Sequence, residues 1–108
     1  MSSNEISNWT DVAAEADLFD GAAIAVDANG TEVAVYSLDG KIFATDNQCT
    51  HGAARLCEGY LEGFEIECPI HQGRFDIRTG AATCAPATEA LKTWPVKIEA
   101  GRVYLAMA

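Results

Sequence analysis

The placement of the two histidines constrains this chain more than any other feature. Both lie in short motifs that also carry a cysteine: Cys49-Thr50-His51 and, after 16 intervening residues, Cys68-Pro69-Ile70-His71. Using every histidine of a chain in this way is improbable by chance. The surrounding stretch, from Asn47 to Pro86, is rich in loops, with glycines at 52, 59, 63, 73 and 80. Such a stretch needs more than an apolar core to hold it, and a metal centre on a β scaffold is the simplest candidate.

Two cysteines and two histidines suit tetrahedral zinc, so a zinc-stabilised binding module is the first rival. Zinc spacing usually pairs Cys with Cys and His with His, whereas each motif here mixes the two. Two similar loops facing each other can gather their cysteines on one side and their histidines on the other. One iron of a binuclear centre then takes two thiolates and the other two imidazoles, which is the Rieske [2Fe–2S] arrangement. The candidate ligands are Cys49, His51, Cys68 and His71.

Strand signals dominate the rest of the chain. Ala23–Asp27 and Thr31–Tyr36 flank Asn29-Gly30, a strong hairpin signal because both turn positions need positive φ. Asp39-Gly40 leads into Lys41–Ala44, Phe64–Glu67 alternates as a short strand, and Ala100-Gly101 joins Val96–Glu99 to Arg102–Leu105. Val96, Ile98, Val103 and Leu105 are the expected inward positions of that last, half-buried hairpin. A weak helical pattern over Asp11–Phe19, with Val12, Glu15, Ala16 and Leu18, predicts a turn or two.

A length of 108 residues bounds the answer to one domain, 1–108. The net charge of −9 argues against nucleic acid and anionic membrane surfaces as partners. Residues 1–40 hold eight acids and no Lys or Arg, which predicts one acidic face. No apolar run approaches the ~20 residues of a membrane span, and the polar start Met1–Glu5 is unlike a signal peptide, so a cytoplasmic location is expected. The four cysteines are then better read as metal ligands or buried thiols than as a disulfide scaffold.

The motif Cys-x-His, 16 residues, Cys-x-x-His resembles that of the Rieske family. Its neighbours Ala44–Asn47, Gly59–Gly63, Gly73–Asp76, Thr79-Gly80 and Ala85-Pro86 are similar to the same family, with the best match to ferredoxin components of naphthalene-type aromatic-ring dioxygenases. The resemblance implies an all-β Rieske fold of three antiparallel sheets. It also implies a two-loop cluster-binding subdomain, about 45–86, inserted in a basal β domain, with Pro86 in a third loop over the cluster. Respiratory Rieske proteins carry an extra cysteine in each cluster loop, where this chain has Ala54 and Ile70. They also donate hydroxyls to the cluster where this chain has Gly73 and Phe75. Hydrogen bonds to sulfur raise the potential of the cluster, so their loss predicts the low end of the Rieske range, about −150 mV.

The other candidates have plainer readings. Cys57 and Cys84 are expected to be small buried hydrophobes, and Trp9 and Trp94 core aromatics. Arg55, Arg74 and Arg78 are expected to pair with nearby acids, and Gln72 to lie near a docking tip. The expected function is that of a monomeric electron carrier and not an enzyme. It would take single electrons from an NAD(P)H-dependent flavoprotein reductase and deliver them to the terminal oxygenase of an aromatic-ring dioxygenase. The chain has no Gly-x-Gly-x-x-Gly of its own, and the cluster uses both histidines that a non-haem iron site would need. The remaining alternative is a Rieske-type small subunit of another redox enzyme.

Overall fold

One strand is buried on both of its faces, and the two halves of the molecule share it. Val33 and Val35 point into one apolar cluster with Val103 and Leu105, while Ala34 and Tyr36 point into another with Cys49, Cys68 and Phe75. Successive side chains of a strand alternate between faces, so the run Val33-Ala34-Val35-Tyr36 can serve two cores at once. The computed structural model describes residues 9–50, 54–70, 72–85 and 87–106. His51, His71 and Pro86 lie outside the described residues.

Among the described residues ten strands form three antiparallel sheets. The first sheet has the order β1 (Trp9–Ala14), β10 (Arg102–Ala106), β9 (Val96–Glu99). The second is the meander β2 (Ala23–Ala28), β3 (Thr31–Leu38), β4 (Lys41–Asp46). The third runs β5 (Tyr60–Glu62), β6 (Glu65–Glu67), β7 (Arg74–Asp76), β8 (Ala82–Cys84). The all-β, three-sheet expectation therefore holds.

The three expected tight turns form as their sequences require. Asn29 and Gly30 have φ of 52° and 85°, and Asp39-Gly40 and Ala100-Gly101 repeat the pattern. Two consecutive positive φ values match the right-handed twist of the flanking strands. In the last hairpin Val103 and Leu105 are buried, but Ile98 is exposed at the surface, against expectation. Ile98 pairs with buried Val103, but β9 is the outer strand of its sheet among the described residues, so Ile98 lies at the rim of the covered face.

The turn expected over Asp11–Phe19 is present but confined to the middle of that span. Asp11–Ala14 belong to β1, and only Glu15–Asp17 form a single 3-10 turn. Pairing with β10 skips Val12 between Asp11 and Ala13, which makes a bulge in β1. Val12 and Ala13 pack on the same apolar cluster as Val103.

Tyr36 is fully buried with its hydroxyl 2.8 Å from that of Thr45. The Thr45 hydroxyl donates its one proton to the Asp46 carbonyl at 2.9 Å, so Tyr36 is the donor of the pair. Burial holds the Tyr36 phenol well above its ordinary range. This satisfied polar pair lets a large aromatic stand in the core shared by β3 and the third sheet.

Candidate metal centre

Both cysteines of the histidine motifs lie on loops closed in the same way. The Cys49 amide donates to the Ala54 carbonyl at 2.9 Å, and the Cys68 amide donates to the Gly73 carbonyl at 2.7 Å. Each bond spans five residues and brackets the histidine of its motif in sequence. The first loop extends from the end of β4 and the second joins β6 to β7.

Asn47 clamps the first loop from inside. It is fully buried, its carbonyl accepts the Leu56 amide at 2.6 Å, and its side-chain oxygen accepts the Cys57 amide at 2.8 Å. Its side-chain nitrogen donates to Glu32 Oε1 at 2.9 Å and to Cys57 Sγ at 3.4 Å. A short antiparallel bridge between Gln48 and Arg55 completes the closure. Outside, the Arg55 guanidinium forks onto Glu32 at 2.6 and 3.1 Å and reaches Glu58 at 3.1 Å. The Arg55 and Asn47 bonds hold the Glu32 carboxyl below its ordinary pKa. The sequence reading did not single out Asn47. A buried Asn carries no periodic signal, and its partners lie far away in the chain.

The Cys49 and Cys68 side chains meet in the apolar cluster, in hydrogen-bonding contact with each other. Both are free of disulfides and almost wholly buried. Burial pushes the Cys68 thiol up to about 11, the Cys49 thiol adds to the rise, and a hydrogen bond from the Ile70 backbone opposes it. Leu56, Ile66 and Phe75 pack in the same cluster, with Ala54 and Ile70 against it. The positions of the respiratory disulfide thus hold apolar packing instead. Two soft sulfur donors side by side, dry, with an N–H directed at one of them, fit a thiolate-ligated iron.

The second loop has its own brace. Glu67, immediately before Cys68, pairs with Arg74 at 2.9 Å, and the same guanidinium reaches Glu62 at 3.1 Å and Glu65 at 3.5 Å. Arg78 pairs with Asp76 at 2.8 Å and stacks 4.4 Å over the Phe64 ring. All three arginines are therefore ion-paired, as expected. Gly59 lets the first loop pass close to the second, since a Cβ there would fall onto the Glu67 carbonyl oxygen.

The other cysteines depart from expectation. Cys84 is exposed and Cys57 half-buried, so neither is a core hydrophobe. Cys84 ends β8, the edge strand of its sheet among the described residues. Trp94 packs partly buried against the base cluster, as expected, and Trp9 is half-buried with Lys97 over its ring at 4.9 Å. Of the acids in the N-terminal third, Asp11 pairs with Arg102 and Glu32 with Arg55, so the acidic face is partly neutralised from elsewhere in the chain. No helix among the described residues is long and apolar enough to cross a membrane.

Comparison with known proteins agrees with this geometry. A family model described as the Rieske [2Fe–2S] domain matches residues 8–95. The ferredoxin component of naphthalene 1,2-dioxygenase/salicylate 5-hydroxylase systems from Ralstonia sp. is 57% identical over 100 residues, covering 93% of this chain and 96% of the relative. Among solved structures, the Sphingomonas yanoikuyae B1 ferredoxin superposes with a TM-score of 0.89 at 45% identity, covering 94% of this chain and 100% of that one. A chain in the complex of reduced oxygenase and oxidized ferredoxin of carbazole 1,9a-dioxygenase superposes with a TM-score of 0.87 at 39% identity, covering 92% of this chain and 93% of that one.

Proposed function

Because the chain belongs to the Rieske [2Fe–2S] domain family, we propose that it is the ferredoxin of an aromatic-ring dioxygenase system. It takes single electrons from an NAD(P)H-dependent flavoprotein reductase and gives them to the terminal oxygenase. Cys49 and Cys68 would hold one iron of the cluster, and His51 and His71 the other. The observation that carries this reading is the meeting of the Cys49 and Cys68 thiols, from two loops with the same closure, inside one apolar cluster. Relatives similar in sequence and in fold are ferredoxin components of such systems.

The bound cluster supplies a one-electron couple, and the chain supplies the setting for it. The apolar side chains of Leu56, Ile66 and Phe75 exclude water from the sulfur side. The Ile70 amide donates to the Cys68 sulfur, which favours negative charge there. The two amide-to-carbonyl closures and the Asn47 clamp hold the ligand loops in one arrangement, so little reorganises when charge arrives. The segment 45–86 is read as the cluster-binding part of a single domain, 1–108, working as a cytoplasmic monomer.

The test is spectroscopic and kinetic. Protein purified with its metal should be red-brown, with two irons and two labile sulfides per chain, and should show a mixed nitrogen–sulfur Rieske signal on reduction. Rapid mixing should show reduction by the reductase and reoxidation by the oxygenase. Zinc in place of iron, or a cluster that neither protein can address, overturns the reading.

A further inference from the structure

The fold treats the cysteines of the chain in different ways. Cys84 is exposed at the end of β8, and Cys57 is half-buried with its sulfur 3.4 Å from the Asn47 side-chain nitrogen. Cys49 and Cys68 are almost wholly buried and touch each other through their side chains. Among the described residues no other thiol enters the apolar cluster around them.

Sequence distance alone would not pair these two. Cys57 stands between them, closer in the chain to each than they are to one another. Closing a shorter loop costs a flexible chain less entropy, so an unfolded chain favours bridges to Cys57. The fold reverses that preference. The Cys49 amide is tied to the Ala54 carbonyl at 2.9 Å and the Cys68 amide to the Gly73 carbonyl at 2.7 Å, so backbone bonds within each loop hold the two sulfurs in place.

We propose that Cys49 and Cys68, besides holding iron, close to a reversible disulfide with each other when the cluster is lost to a peroxide. This rests on the reading of both as ligands. One sulfur attacks hydrogen peroxide and becomes a sulfenic acid, its proton leaving with the displaced hydroxide as water. The second sulfur then attacks the first, the S–O bond breaks and a second water leaves. Two thiols and one hydrogen peroxide thus give one disulfide and two waters, with two electrons passing from sulfur to oxygen. The sulfenic acid meets its neighbour before it meets a second peroxide, because Leu56, Ile66 and Phe75 pack around the pair. The bridge spares both ligands from irreversible sulfinic acid, and a dithiol reductant frees them for a new cluster.

The experiment starts from holo protein, exposed to hydrogen peroxide with a chelator present for the released iron. Free thiols are then alkylated and the chain is cut after Lys, Arg and Glu, which leaves each cysteine on its own peptide. As the visible absorbance bleaches, most chains should yield a bridged Cys49–Cys68 peptide, with Cys57 and Cys84 alkylated. Dithiothreitol, then iron and sulfide, should restore the Rieske spectrum. Cys84→Ser should bridge to the same extent, and oxidation in concentrated urea should shift the yield toward bridges to Cys57. Cys49 and Cys68 recovered as alkylated thiols or as sulfinic acids overturn the proposal. So do bridges to Cys57 or Cys84 in their place, loss of the bridge in Cys84→Ser, or the same pairing with and without urea. Purified protein with no Rieske signal at the outset overturns the ligand reading, and this proposal with it. A normal signal followed by unbridged cysteines overturns this proposal alone.

Discussion

The side-chain oxygen of Asn47 accepts the Cys57 amide at 2.8 Å while its nitrogen lies 3.4 Å from the Cys57 sulfur. One fully buried side chain thus ties the two ends of the first ligand loop together, and its remaining proton goes to Glu32. Asn47→Ala leaves a half-buried amide without its partner, which should lower stability by about 1–3 kcal/mol. Asn47→Asp keeps the acceptor for Cys57 but sets a carboxylate against Glu32, and should lose a similar amount. Denaturant melts of the holo proteins, followed by the cluster absorbance, check both. Unchanged midpoints in both variants would remove the clamp from the account.

Phe75 shares its apolar cluster with Cys49 and Cys68 and has no exposed surface. Phe75→Tyr adds one hydroxyl to a ring already in place, where a sulfur is the expected acceptor. A hydrogen bond to a charged group is worth roughly 1.5–3 kcal/mol, and only the difference between the reduced and oxidised states moves the potential. With ~1.4 kcal/mol equal to about 59 mV for one electron, the potential should rise by some tens of millivolts. Protein-film voltammetry reads this directly. A loss of stability with no upward shift would mean that the hydroxyl finds no sulfur.

Glu32 sets a pH dependence. Its pKa is lowered in the folded protein, chiefly by the Arg55 hydrogen bond and then by Asn47. A carboxyl with a depressed folded pKa adds stability that is present above its unfolded value and is lost as pH falls through the folded one. The decline should therefore begin near the ordinary value of 4.5 and deepen below it. The pair is exposed, so the effect is small and weakened by salt. Thermal midpoints between about pH 3 and pH 7 should fall more in wild type than in Glu32→Gln, whose side chain does not titrate over that range. Parallel curves would show that Asp11 and Asp76, which are also lowered, dominate instead.

Gly59 and Gly63 lie close in sequence and should respond differently to alanine. Gly59 has φ −87°, which any residue adopts, but a Cβ there meets the Glu67 carbonyl oxygen next to Cys68. Gly63 has φ +57° with open space around it. Gly59→Ala should cost about 1–3 kcal/mol through overpacking and should disturb the visible spectrum of the cluster. Gly63→Ala should cost roughly 1 kcal/mol through backbone strain and leave the spectrum alone. A spectrum altered by Gly63→Ala and not by Gly59→Ala would reverse the argument.

The sequence by itself determined what local chemistry can write. Asn29-Gly30, Asp39-Gly40 and Ala100-Gly101 announce their hairpins because a two-residue turn needs left-handed backbone at both positions. The two cysteine–histidine motifs announce the metal chemistry because both histidines of the chain fall in them, each close to a cysteine. Only the tertiary structure decided that Asp11–Ala14 is a strand, since β10 supplies hydrogen bonds that a helical spacing cannot anticipate. It alone made Val33–Tyr36 the wall between two cores, because burial on the second face depends on what packs there. Asn47 and Cys84 are the clearest cases. One is buried and the other exposed against the habit of its residue type, because Asn47 meets partners from β3 and from the far end of its loop while Cys84 ends the edge strand of its sheet among the described residues.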